Sequence, residues 1–219
     1  MNYTITEDLA EETRIHVGDG SMNYYKNNGY CYTVACHETD DKEYVDDVIL
    51  PLIKRIYGKT PKPRNWSKGT YGFRLCSKNI VEFKNQILGL PLERKENISV
   101  AESIYLDKKL MSAFLRELFD TDGSLYIWHR PNRKNQVYPR IYFSSISKNL
   151  VCGVREVLIK EGFRVSYCEI APRKPNEQRL YRLALNGIEM VIKWANEIGF
   201  HNPKNTKKLA IMGIKNKIL

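Results

Sequence analysis

The chain repeats itself, and that repeat restricts its fold more than any other feature. Leu9–Ser21 and Met111–Ser124 both end in Asp-Gly-Ser, which sets Asp19 and Asp122 103 residues apart. In the second copy Met111, Phe114, Leu115 and Leu118 recur at i, i+3, i+4 and i+7, the spacing of one apolar helical face. After each Asp-Gly-Ser comes an alternating aromatic stretch, Met22–Lys26 and Leu125–His129, which reads as a strand entering a hairpin. The first hairpin turns at Asn27-Asn28-Gly29 and returns through Tyr30–Cys36. The second turns through the basic stretch Arg130–Gln136 and returns as Arg140–Ile146. Helices follow around Tyr44–Tyr57 and Asn149–Glu161, the latter stopped by Gly162. Next in each half is a second hairpin with a polar, basic tip, Lys62–Lys68 or Arg173–Arg179, and a matching return strand, Phe73-Arg74-Leu75 or Tyr181-Arg182-Leu183. Each half closes with a helix ending at Leu88-Gly89-Leu90 or Ile198-Gly199-Phe200. The order α-β-β-α-β-β-α therefore occurs twice, which makes this an α+β chain of two like units with a linker near residues 92–106.

A length of 219 residues admits one large domain or two of about 100 residues each. Hydrophobic content of 42% and charged content of 27% exclude disordered and fibrous classes. No run approaches the roughly 18 apolar residues of a membrane span, and the start, Met1–Asp8, lacks the basic and apolar regions of a signal peptide, so an intracellular protein is expected. The five cysteines are scattered and never form C-x-x-C, which reads as buried or half-buried thiols with no disulfide framework or zinc site. The four histidines share no ligand-like spacing. Net charge is +10 and regional: −8 over residues 1–47, +6 over 48–107 and +12 over 108–219, a distribution that suits a polyanionic partner.

Each aspartate falls in the last turn of a helix, facing the negative end of the helix dipole, a placement unfavourable by roughly 0.3–1 kcal/mol. Two such ends brought together add like-charge repulsion and call for a cation. A hard divalent ion such as Mg²⁺ takes one or two carboxylates plus phosphate oxygens, so two aspartates beside two phosphodiesters would complete a site for metal-assisted hydrolysis.

Leu115–Gly123 resembles the LAGLIDADG motif, and Ile15–Gly20 resembles its degenerate first copy. The order of elements likewise resembles the single-chain, two-motif homing endonucleases over nearly the whole chain. That resemblance implies a first repeat over residues 1–92, a linker over 93–106 and a second repeat over 107–219. It implies a pseudo-twofold monomer in which the motif helices pack together and two saddle-shaped antiparallel sheets straddle double-stranded DNA. The implied activity is site-specific cleavage of both strands of a long target, leaving short 3′ overhangs, with Mg²⁺, for which Mn²⁺ or Ca²⁺ substitutes in binding. Asp19 and Asp122, with Gly18 and Thr121 just before them, are the implied metal positions, and Lys95 and Lys204 the implied supporting lysines. Glu38 and Ser147 fall where the family places a polar residue.

Polar Glu11, Glu12, Thr13 and Arg14 depart from the apolar pattern of the motif. Arg14 and Glu117 each lie five residues before their acid, so a twofold packing would bring them together as an ion pair. Candidate DNA contacts on the sheets and hairpin tips are Tyr24, Lys26, Asn28, Arg64, Asn65, Trp66, Lys68, Arg74, Trp128, Arg130, Arg133, Arg140, Arg173, Lys174, Arg179 and Arg182. Two other readings of the same fold are an intron-RNA maturase and a DNA-binding protein that does not cleave.

Overall fold

Both Asp-Gly-Ser segments mark the point where a helix gives way to a strand. The computed structural model describes residues 6–92, 107–130, 133–175 and 177–217. The first half begins with α1 (Glu7–Asp19), β1 (Gly20–Tyr25) and β2 (Gly29–His37). A helical stretch follows, α2 (Lys42–Tyr44), a π-helical turn (Val45–Ile49) and α3 (Leu50–Tyr57), and then β3 (Arg64–Ser67), β4 (Thr70–Cys76) and α4 (Lys78–Gln86). The second half runs α5 (Lys108–Thr121), β5 (Gly123–Arg130), β6 (Arg133–Ser145), α6 (Lys148–Lys160), β7 (Val165–Ile170), β8 (Leu180–Asn186), α7 (Ile188–Glu197) and α8 (Pro203–Ile211). Two four-stranded antiparallel sheets result, ordered β1-β2-β4-β3 and β5-β6-β8-β7, the same topology twice. No helix among the described residues is long and apolar enough to cross a membrane.

Local sequence accounts for the element ends. Thr6 caps α1 by accepting from Leu9 N at 3.2 Å, and Asp107 caps α5 by accepting from Lys109 N at 2.7 Å. Gly29 closes the first hairpin at φ 69°, the left-handed backbone that a tight turn needs. α1 and α5 form the most extensive helix–helix contact, and the two halves share one apolar core across them. The close approach occurs at Gly18, where an added Cβ would lie 2.7 Å from Thr121 Oγ1 and 3.1 Å from Asp122 Oδ1.

The polar face of α1 is matched residue by residue. Glu12 and Lys84 are fully buried and pair at 2.6 Å, with Tyr57 donating to Glu12 at 2.9 Å. The Lys84 ammonium lies 4.3 Å from the Tyr32 ring. Breaking such a buried pair typically costs about 3–5 kcal/mol. Glu11 pairs with Arg116 of α5, and Thr13 donates to its own helix at Leu9 O.

Four sequence expectations change. Cys31 and Cys76, opposite one another on β2 and β4, form a disulfide, while Cys36, Cys152 and Cys168 are free thiols, the last exposed on β7 and not buried. Spacing carried no sign of it, because strand register brings the two together. The basic tip expected over Lys62–Lys68 is largely strand: Arg64–Ser67 form β3 and the turn lies at Lys68-Gly69. Likewise most of the loop expected over Arg130–Gln136 continues β5 and β6. Finally, the expected closing helix of the second half is followed by another, α8.

Candidate active site and nucleic-acid face

α1 and α5 bring their C-terminal ends together, and Asp19 and Asp122 with them. Asp122 follows the last turn of α5, its N–H bonded to Leu118 O at 3.2 Å. Its side chain is 26% exposed, open enough to meet an ion or a phosphate group. The Asp122 carboxylate lines a small cleft with Gly18, Ser144, Ser147 and Leu180. Asp19 Oδ2 accepts from the Cys36 thiol at 3.5 Å. Burial, then the neighbouring Asp19 and Asp41 charges, push that thiol far above its usual range, so it stays protonated and donating.

The expected Arg14–Glu117 pair does not form. Arg14 is fully buried and its Nη2 donates to Asp122 Oδ2 at 2.5 Å. Its guanidinium lies 5.9 Å from the ring centroids of Phe114 and Phe143, so the side chain crosses into the other half. Burial pushes the guanidinium below the usual arginine value, and Asp122, Asp19 and Glu117 pull it back. Glu117 turns elsewhere, accepting from the Tyr44 hydroxyl and lying 3.0 Å from His201 Nδ1. The twofold spacing was right about proximity, but the nearer carboxylate won.

Glu117, Glu11 and His201 make a second cluster at the helix interface, their ligand atoms within 4.8 Å of one another. Both carboxylates have other protein partners, Arg116 for Glu11 and Tyr44 for Glu117. Burial raises both carboxyls to about 7, and for Glu11 the Glu117 charge adds to it. Asp120, also buried and raised to about 7, accepts from His201 N at 2.6 Å and Asn205 Nδ2 at 2.9 Å. Of the two acids in Asp120-Thr121-Asp122, the buried first is tied to the α7–α8 connection and α8, and the second faces the cleft.

Sequence reasoning missed α8, whose first turn supports the site. Its cap Asn202 donates to Asp41 Oδ1 at 3.0 Å and Asp120 O at 3.1 Å, so it bridges the halves. Lys204 Nζ also reaches Asp41 Oδ1, at 2.8 Å, and its charge is felt at Cys36 beside Asp19. Asn-Pro ahead of a lysine-rich turn, an N-cap signal followed by Pro at N1, was the cue available. Lys95 lies outside the described residues. Glu38 accepts from Asn65 and Gly69, and buried Ser147 caps α6 by accepting from Leu150 N.

Strand register settles which sheet face is open. Met22, Tyr32, Val34 and Phe73 point to the core, as do Leu125, Ile141, Phe143, Leu183 and Leu185. Alternation then puts Arg74, Arg64 and Trp66 on the open face of the first sheet, and Trp128, Arg140 and Arg182 on that of the second. Tyr24 falls on the core-facing side at its exposed end, edge-on to Tyr30, and Tyr25 takes the open face. Arg74 lies 4.2 Å from the Tyr25 ring and 4.6 Å from that of Trp66, and Arg64 is 3.9 Å from Trp66. Arg74 donates to Thr33 Oγ1 at 3.3 Å, and Arg182 donates to Ser144 Oγ at 2.8 Å, equivalent pairs on the two sheets. Lys26, Asn28 and Lys68 lie at hairpin turns. Asn65 alternates with Arg64 and Trp66 and bonds Glu38 at the sheet edge. Arg130 and Arg133 are paired positions at the β5–β6 strand ends, and exposed Arg173, Lys174 and Arg179 lie between β7 and β8.

Residues 109–199 match the family model of the LAGLIDADG-like domain. That match lies within the second half of the chain. Most of the chain shares its fold with solved homing endonucleases. It matches a structure of mesophilic variants of the homing endonuclease I-DmoI at a TM-score of 0.61 and 18% identity, over 88% of this chain and 90% of that one. A structure of I-DmoI with DNA and manganese matches at 0.60 and 19%, over 88% and 96%. I-SmaMI bound to an uncleaved DNA target with calcium matches at 0.55 and 10%, over 96% and 90%. A search of curated proteins by sequence returned no match.

Proposed function

We propose that this chain is a monomeric, site-specific endonuclease that cuts both strands of a long double-stranded DNA target, leaving short 3′ overhangs. The observation that carries the reading is the pairing of Asp122, open to a cleft, with Asp19 at the ends of two helices packed at Gly18–Thr121. The LAGLIDADG-like family match over residues 109–199 supports it, and the fold match to DNA-bound I-DmoI and I-SmaMI extends that support to the first half. Residues 1–92 and 107–219 are the two repeats, joined by a linker over 93–106.

Hard carboxylate oxygens at two juxtaposed helix ends suit a divalent ion, Mg²⁺ by preference, held by Asp19 and Asp122 beside Gly18 and Thr121. Such an ion would acidify water and offset charge developing on the phosphate. The protein's own part is placement. The open sheet faces offer Arg64, Trp66 and Arg74 on one side and Trp128, Arg140 and Arg182 on the other, so guanidinium groups grip phosphate or guanine while aromatics pack on sugars. Lys204, oriented by Asp41, adds positive charge near Asp19 where phosphate would lie. Lys95 would do the same from the first half.

The test is cleavage of a randomised DNA library with Mg²⁺ by the wild type, Asp19→Asn and Asp122→Asn. The expected result is cleavage by the wild type alone, with DNA binding retained by both variants. Cleavage that survives both substitutions would remove the composite site, and wild-type binding without cleavage would replace the nuclease with a DNA-binding protein on the same fold.

A further inference from the structure

Arg74 and Arg182 hold equivalent places on the two open sheet faces, but they are not held equally. Arg74 donates from Nε to Thr33 Oγ1 at 3.3 Å and from Nη2 to the Tyr25 hydroxyl at 3.2 Å. The Tyr25 and Trp66 rings lie 4.2 and 4.6 Å from its guanidinium, so β1 and β3 both contribute a ring to a side chain of β4. Arg182 donates from Nε to Ser144 Oγ at 2.8 Å, and its ring contact, with Tyr142, is longer at 5.1 Å. No hydrogen bond ties its Nη atoms to a described residue. The position matching Tyr25 in the second half is Trp128, which has no hydroxyl and packs on Tyr138 at 5.6 Å. An arginine has five N–H donors in a fixed fork. Arg74 commits two of them, which leaves both N–H groups of Nη1 and one of Nη2.

We infer that Tyr25 is a positioning residue that fixes the Arg74 guanidinium for paired donation to one guanine edge, which makes Arg74 a determinant of the DNA sequence that the chain selects. Guanine presents O6 and N7 together in the major groove, and two N–H groups of one arginine match them. A mobile guanidinium turns to the nearest phosphate oxygen beside any sequence, so it adds affinity without selection. One held through Nε, through Nη2 and by two rings loses those contacts if it turns, so a wrong base leaves its donors unpaired. By the same argument Arg182, held by one hydrogen bond, discriminates less. The inference rests on the DNA-binding part of the reading above and does not depend on cleavage.

The experiment is selection of a randomised duplex library by the full chain, with the bound fraction sequenced, for wild type, Arg74→Ala, Arg74→Lys, Tyr25→Leu, Tyr25→Phe and Arg182→Ala. Thermal melts identify the folded variants. The wild type should enrich a guanine at one position, and Arg74→Ala and Arg74→Lys should both lose it, since lysine keeps the charge but not the fork. At that position Tyr25→Leu should lower the preference for guanine about tenfold, within the range of one paired contact. Tyr25→Phe, which keeps the ring, should fall between Tyr25→Leu and wild type. Preferences at other positions should stay as in wild type, and Arg182→Ala should alter base preference less than Arg74→Ala. The reverse order of those two arginines would overturn the inference. So would Arg74 or Tyr25 variants that weaken binding to all sequences by one factor or leave the guanine preference intact. A wild type that selects a sequence but does not cut it defeats the nuclease reading alone, whereas one that retains no duplex defeats the DNA reading and this inference with it. If Tyr25→Leu fails to fold, Tyr25→Phe and Arg74→Lys against wild type decide the question.

Discussion

At the scale of single residues, the helix interface concentrates ionisable groups with little access to water. Glu11 and Glu117 sit near 7 in the fold, whereas unfolded glutamates titrate at about 4. Between those values the folded chain holds more protons than the unfolded one, so stability is full in acid and falls as pH rises through 7. His201, lowered by burial, works in the opposite sense below its ordinary value of 6.5, so the carboxyl effect is clearest from pH 8 down to 6.5. Thermal melts over that interval should show a midpoint rising by several degrees as pH falls, with Glu11→Gln flattening the trend. A midpoint independent of pH would mean that the two carboxyls are not neutralised by folding. These residues also mark where sequence reading stopped. Glu11, Glu12 and Arg14 look like violations of an apolar motif because their partners Arg116, Lys84 and Asp122 are 72 to 108 residues away. Periodicity registers a polar residue but not the charge that waits for it in another element.

The elements themselves were far more legible. Hydrophobic period, Asn-Asn-Gly, capping residues and the doubled Asp-Gly-Ser fixed seven elements per half in order, because these signals act within a few residues. What failed was whatever depends on register or on docking between elements: the Cys31–Cys76 bond, the short β3–β4 turn and the attachment of α8. The α1–α5 contact belongs to this scale. A side chain at Gly18 meets Thr121 within 3 Å, so Gly18→Val must push the helix ends apart. Overpacking of this kind costs about 1–3 kcal/mol, read as a shifted urea midpoint. Because the displaced atoms include Asp122, cleavage should fall further than the stability loss alone implies. Retained stability with full activity would show that the helices are not in contact there.

For the molecule as a whole, charge and shape are divided between the halves. Residues 108–219 carry +12, and their open sheet face adds Arg140 and Arg182 to exposed Arg173, Lys174 and Arg179. If both sheets lie along a duplex, roughly 6–10 phosphate contacts would lower affinity about 10³-fold or more between 50 and 200 mM salt. A titration by fluorescence anisotropy measures that slope, and a nearly flat one would remove the sheets as the DNA-facing surface. The first half, acidic over residues 1–47, leans on the second through Asn202 and Lys204, both of which hold Asp41. Those two side chains follow all eight described strands in the chain. During synthesis, then, both sheets can form while Asp41 is still without Asn202 and Lys204, the lysine that it orients. A growing chain would hold its two acids before it could use them, and cutting competence would arrive as one late event instead of building up by degrees.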